Sequence, residues 1–126
     1  MNGRHGALAA GALGALGVAA GAFGAHALRG TIDARSLEIW RTAAHYQQVH
    51  AAVLLAVSLW ALQEERRLRR LAISLFTVGI LIFAGTLYPL ALGIGPRMLG
   101  AITPIGGLCL IGGWLAVAIE GFQIRR

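Results

Sequence analysis

His26, Arg41, His45 and Gln48 are the residues of this chain whose types and spacing come nearest to chemistry. His26 closes one long apolar stretch and His45 opens the next, so both imidazoles are expected at the same level of a helical hairpin. At about 100° per residue, Arg41, His45 and Gln48 share one helix face, while Tyr46 and His50 point roughly the opposite way. An imidazole so placed can bind a quinone head group, ligate a metal or haem, or take up a proton near neutral pH. Ionisable groups inside a membrane are functional candidates by default. The plainer reading is preferred: these side chains hydrogen-bond one another and the adjoining loop, pinning the first helix to the second. A bis-histidine haem site would have to use His26 and His45, because His50 lies deeper on another face, and no Cys-x-x-Cys-His accompanies them.

The other reactive groups read more plainly still. Tyr46 and His50 form an i, i+4 pair, expected as a buried hydrogen-bonded pair rather than a catalytic dyad, since no Ser or Cys nucleophile stands at a matching place. Cys109 is the single cysteine, which excludes an internal disulfide or a cysteine-based cluster and leaves a small packing residue. The glycine-rich first stretch lacks the strand-turn-helix context of a phosphate-binding loop. No catalytic residue, metal site or cofactor is expected, and the chain is not expected to be an enzyme.

The elements that must position these groups follow from the apolar runs Ala7–Leu28, Ala43–Leu62, Leu71–Leu92 and Met98–Ile119. Each is about 20 residues long, the length a helix needs to cross a hydrocarbon core of roughly 30 Å. With 57% hydrophobic and only 13% charged residues over 126 positions, the composition excludes an ordinary soluble domain, which carries roughly 25% charged residues. The expectation is an all-α, four-helix transmembrane bundle in one domain, with helices at about 7–28, 43–62, 71–88 and 104–122. Arg4 and the Ala25-His26-Ala27 segment imitate a signal peptide, but the apolar core is too long and too rich in glycine, so retention as the first helix is expected.

Arg29–Thr42 reads as an interfacial helical lead-in to the second helix, capped by Asp33 or Thr31, with Trp40 at head-group level. Pro89 should close the third helix. Thr103-Pro104 looks like an N-cap followed by proline at the first position of the fourth. Glycines recur every three or four residues in the first helix, among them Gly14, Gly17 and Gly21, and Gly106 and Gly113 lie on one face of the fourth. Such smooth faces let helices approach closely in lipid, so helices 1 and 4 are expected to make close Gly/Ala contacts.

The net charge of +6 comes from eleven arginines and no lysine, an arrangement suited to lipid head groups and topology rather than nucleic acid. It also fits a GC-rich bacterial genome. Arg4, Arg66, Arg67, Arg69, Arg70, Arg125 and Arg126 fall on one side and Arg29, Arg35, Arg41 and Arg97 on the other, so the positive-inside rule places both termini in the cytoplasm of a bacterial inner-membrane, multi-pass protein. The Glu64–Arg70 run is read as a solvated loop, and Glu120 should pair with Arg125 or a loop arginine.

The segments Gly21-Ala-Phe-Gly-Ala-His-Ala-Leu28, Tyr46-Gln-Gln-Val-His50, Gly85-Thr-Leu-Tyr88, Ile102-Thr-Pro-Ile-Gly-Gly107 and Gly113-Trp114 occur together and in order. With them the chain, over about residues 5–120, resembles the domain-of-unknown-function 423 family of small bacterial inner-membrane proteins, itself similar to eukaryotic transmembrane protein 256. The resemblance implies a four-helix membrane protein and no particular activity. A structural, accessory or scaffold role is therefore expected, in contact with membrane lipids and with a membrane-protein partner or further copies of itself. The alternative is a binding protein for a small molecule (quinone, metal or haem) using His26, Arg41, His45, Gln48 and His50. A minimal channel or transporter comes third, because none of the four stretches carries a carboxylate at mid-membrane.

Overall fold

The computed structural model describes residues 1–124, so Arg125 and Arg126, used above in counting charge, lie outside the described residues. Four helices account for most of it: α1 Gly3–Phe23, α2 Ala34–Gln63, α3 Arg67–Ala91 and α4 Leu99–Gln123, with one π-helical turn, Gly24–Leu28, continuing α1. The α1 stretch through Leu28, α3 and α4 are each long and apolar enough to cross a membrane. α2 spans 30 residues and is more polar.

The helices run up and down, and each packs chiefly on its neighbour in sequence. α2 and α3 form the central pair, α1 lies on α2 and touches α3 lightly, and α4 lies on α3. Leu54, Ile73 and Phe76 are fully buried at the centre. The start of α1 meets the end of α2, since a side chain at Gly3 would run into Ser58 and Leu62.

The start of α2 agrees with the sequence reading, and two other boundaries differ from it for local reasons. Asp33 does cap α2, its carboxylate accepting from the Ser36 N–H at 2.7 Å, so the interfacial lead-in and the second helix are one unbroken element. Pro89 lies inside the last turn of α3 instead of closing it. A proline there removes only the bond to the carbonyl four residues back, and the chain continues to Ala91 before Leu92 N–H caps on Tyr88. α4 begins at Leu99, five residues before Pro104, so Thr103 is no cap. Its hydroxyl donates back to the Leu99 carbonyl at 2.9 Å and lies 2.6 Å from the Thr86 hydroxyl of α3.

The smooth faces of α1 and α4 are used, but not against each other. Those of α1 meet α2: a side chain at Gly17 would lie 3.0 Å from Gln48 Cγ, and one at Gly21 2.8 Å from Gln48 Nε2. That of α4 meets α3: a Cβ at Gly106 would sit 2.5 Å from the Phe83 backbone nitrogen, and one at Gly113 2.8 Å from the Phe76 ring. Gly14 has only the Ala51 methyl, at an ordinary 3.9 Å. The order of packing decides this, because the central pair stands between α1 and α4.

Candidate functional site

The polar first half of α2 is where side chains of possible function converge, and its three faces have three different fates. Ala44, Gln47, Ala51, Leu54, Ser58 and Ala61 repeat every three or four residues and form the buried face. Gln47 donates from Nε2 to the Leu13 carbonyl of α1 at 2.8 Å, and its Oε1 accepts from the Tyr88 hydroxyl of α3 at 2.6 Å. One side chain thus ties three helices. Gln48 donates to the Gly17 carbonyl at 2.8 Å, which needs the bare backbone that Gly17 and Gly21 provide.

Trp40 packs inside the bundle rather than pointing outward. It is buried, donates from its indole N–H to the Ala20 carbonyl at 2.8 Å, and packs between Phe23 and Tyr88. Gly24 makes room for it: a Cβ there would lie 2.5 Å from Trp40 Cδ1.

The third face of α2 looks across α3 toward α4. His50 is buried, with Nδ1 2.8 Å from the Tyr46 backbone carbonyl and Nε2 3.2 Å from the Trp114 indole N–H. A carbonyl only accepts and an indole only donates, so the network assigns a neutral imidazole with its proton on Nδ1. The Tyr46 ring stacks on His50 with centroids 5.7 Å apart and packs on Phe83 at 4.6 Å, but its hydroxyl is not bonded to His50. Tyr46 itself stays 41% exposed. His45, Tyr46, His50, Phe83, Gly107 and Trp114 line a cleft of about 500 Å³ between α2 and α4.

Of the sequence candidates, the structure brings His45 and His50 to this cleft and Gln48 to α1. His26, on the π-helical turn, and Arg41 are exposed and line none of it. Among the described residues no hydrogen bond joins His26, Arg41 or His45 to one another or to the loop. Of the group expected to pin the first two helices only Gln48 helps to do so, and Gln47 and Trp40 make the other bonds. Gln47 could have been found from its place on the small-residue face of α2. Trp114 and Tyr88, distant in sequence, gave no such signal. Among the described residues, no three His, Cys, Asp or Glu side chains are grouped to hold a metal ion.

A second cluster sits at the far end of the bundle. Glu120 of α4 accepts from Arg69 Nε at 2.9 Å and from Arg66 Nη1 at 3.2 Å. Arg69 also donates to the Trp60 and Glu64 carbonyls that end α2, at 3.1 and 2.8 Å, with its guanidinium 4.1 Å over the Trp60 ring. Glu120 therefore pairs with arginines of the Glu64–Arg70 run, as one of the two expectations had it, while the Arg125 alternative lies outside the described residues. The run is not wholly a solvated loop: α3 begins at Arg67, and Arg69 is buried. Hydrogen bonding to Glu120, helped by Glu64, holds the Arg66 guanidinium above the usual arginine value.

The family described as "Protein of unknown function (DUF423)" matches residues 20–107. The chain is 43% identical over 115 residues to a UPF0382 membrane protein of Staphylococcus saprophyticus, covering 90% of this chain and 94% of that one. It is 39% identical to a UPF0382 membrane protein of Haemophilus influenzae, over 86% of each chain. To the UPF0382 membrane protein YwdK of Bacillus subtilis it is 38% identical, over 86% of this chain and 88% of the relative. No solved structure matches it.

Proposed function

This chain belongs to the DUF423 family of membrane proteins, and we propose that it is a four-span, non-catalytic accessory or scaffold protein of the bacterial inner membrane. One observation carries the reading: the polar side chains buried among the described residues find hydrogen-bond partners within the bundle. Gln47, His50, Thr86, Thr103, Arg69 and Glu120 each bond a neighbouring helix, which is what stabilising a helix assembly requires, while Ser58 and Thr77 donate to carbonyls of their own helices. The same bonds support α2 as a fourth span. Its polar first half loses its cost in lipid when Gln47, Gln48 and His50 are satisfied by α1, α3 and α4.

Both termini belong in the cytoplasm on this reading. Arg4 and the Arg66–Arg70 cluster lie at the end of the bundle where α1 starts and α4 stops, opposite Arg29, Arg35, Arg41 and Arg97. The surface offered to a membrane-protein partner or a second copy is the outer face of α1. There Gly11 meets no atom within 4 Å, and exposed Ala15 and Ala19 follow at one-turn spacing.

Native mass spectrometry of gently extracted protein tests the role. A defined oligomer or complex that Gly11→Leu dissociates is the expected result, and a bare monomer from native membranes overturns it. For the orientation, a reporter fused after Arg126 should be active only on the cytoplasmic side. A second reading, a membrane protein that binds a lipid-soluble small molecule, is favoured by one specific observation, the aromatic cleft between α2 and α4.

A further inference from the structure

We propose that the cleft between α2 and α4 receives the head group of a lipid-soluble para-quinone, held by hydrogen bonds from His45 and Tyr46 to its carbonyl oxygens. This deepens, and rests on, the small-molecule reading of that cleft. Its volume of about 500 Å³ falls within the roughly 300–1,000 Å³ typical of small-molecule sites. Tyr46, Phe83 and Trp114 supply aromatic surfaces for a flat ring. Gly107 leaves its floor open, since a Cβ there would meet only Phe83 Cδ2, at 4.0 Å.

The polar inventory selects the ligand class. His50 has both ring nitrogens engaged, so it holds the wall in place and is not free to ligate a metal. The His45 ring and the Tyr46 hydroxyl have no hydrogen-bond partner among the described residues, and both residues are exposed and line the cleft. In the four-span arrangement with Trp40 at head-group level, they lie five and six residues, roughly 8–9 Å, further along the helix axis. Unpaired donors at such depth are costly, and a ligand bearing acceptors removes the cost. Among the described residues no Arg, Asp or Glu lines the cleft, so a charged lipid head group would find no counter-ion there. A neutral planar ring with a carbonyl at each end fits both the donors and the walls, and Leu110 and Ile111 continue the lining as an apolar path for its tail.

The test uses the full chain in lipid nanodiscs titrated with decylubiquinone, read by tryptophan fluorescence, because Trp114 borders the cleft. Saturable quenching is expected, weakened about tenfold by Tyr46→Phe, which removes one hydrogen bond worth about 1.4 kcal/mol. Gly107→Leu, which fills the floor, should abolish saturation. Should that variant fail to fold, Tyr46→Phe decides alone, since its hydroxyl has no partner among the described residues. Quenching that rises linearly and identically in wild type and Tyr46→Phe overturns the proposal. Solvent extraction that yields a bound compound without a quinone ring, lost in Tyr46→Phe, also overturns it while leaving the small-molecule reading standing.

Discussion

Glu120 and Arg69 meet at 2.9 Å with side chains only 2% and 3% exposed, so the last turn of α4 is ion-paired to the first turn of α3. Because Arg69 also caps the carbonyl end of α2, a single guanidinium joins three helix termini. The charge is buried with acceptors on Nε and Nη1 and with a Glu64 carboxylate oxygen 3.7 Å from Nη2.

Arg69→Met should therefore be the most damaging single change at that end, costing about 3–5 kcal/mol by leaving Glu120 buried with only Arg66 and the α2 carbonyls uncapped. Glu120→Gln should cost less, since Arg69 keeps both carbonyls. Thermal unfolding in detergent by circular dichroism ranks them, and equal losses would contradict the capping role.

Glycine substitutions separate used from unused small positions. Gly106→Ala forces a methyl against the Phe83 backbone, which cannot rotate away, so α3 and α4 must part and the midpoint should fall by several degrees. Gly11→Ala meets nothing and should hold or raise the midpoint, because alanine favours the helix by up to about 1 kcal/mol.

Gln47→Leu keeps the volume and removes both bonds, leaving the Tyr88 hydroxyl without its acceptor at a cost of about 1–3 kcal/mol. Adding Tyr88→Phe should restore part of the loss. A double-mutant cycle measures this as positive coupling, and strict additivity would deny the contact its role.

Acid should weaken the start of α2. The Ser36 N–H, bonded to the Asp33 carboxylate, holds that carboxyl below its ordinary value of 3.8. The folded value lies below the unfolded one, so the stabilisation is present above the ordinary value and is lost as pH falls through the folded one. Asp33→Ala should thus be less stable than wild type at pH 7, with the gap closing below about pH 4. Arg66 adds no slope to this scan: its folded value is raised, so its contribution is complete at every pH below the usual arginine value.

Much of this protein is legible in its sequence because lipid imposes simple rules. Backbone groups in hydrocarbon must be bonded internally, so long uncharged runs become helices wherever they occur. Asp33 was recognisable as a cap because capping is a local bond between residues three apart. The proline boundaries failed for the opposite reason. Pro89 and Pro104 signal a boundary by a local rule for isolated helices, whereas here α3 and α4 run through them, and close by the Thr86 and Thr103 hydroxyls join the two helices.

The sequence by itself determined the solvent, the number of helices and their up-and-down order, because these depend on composition, run length and short connections. Only the tertiary structure decided which smooth face meets which helix, that Gln47 rather than His26 ties α1 to α2, and that His50 and Trp114 wall a cleft together. Those pairings join residues tens of positions apart. They are fixed by the rotation of each helix about its own axis, which depends on how all the side chains fit at once.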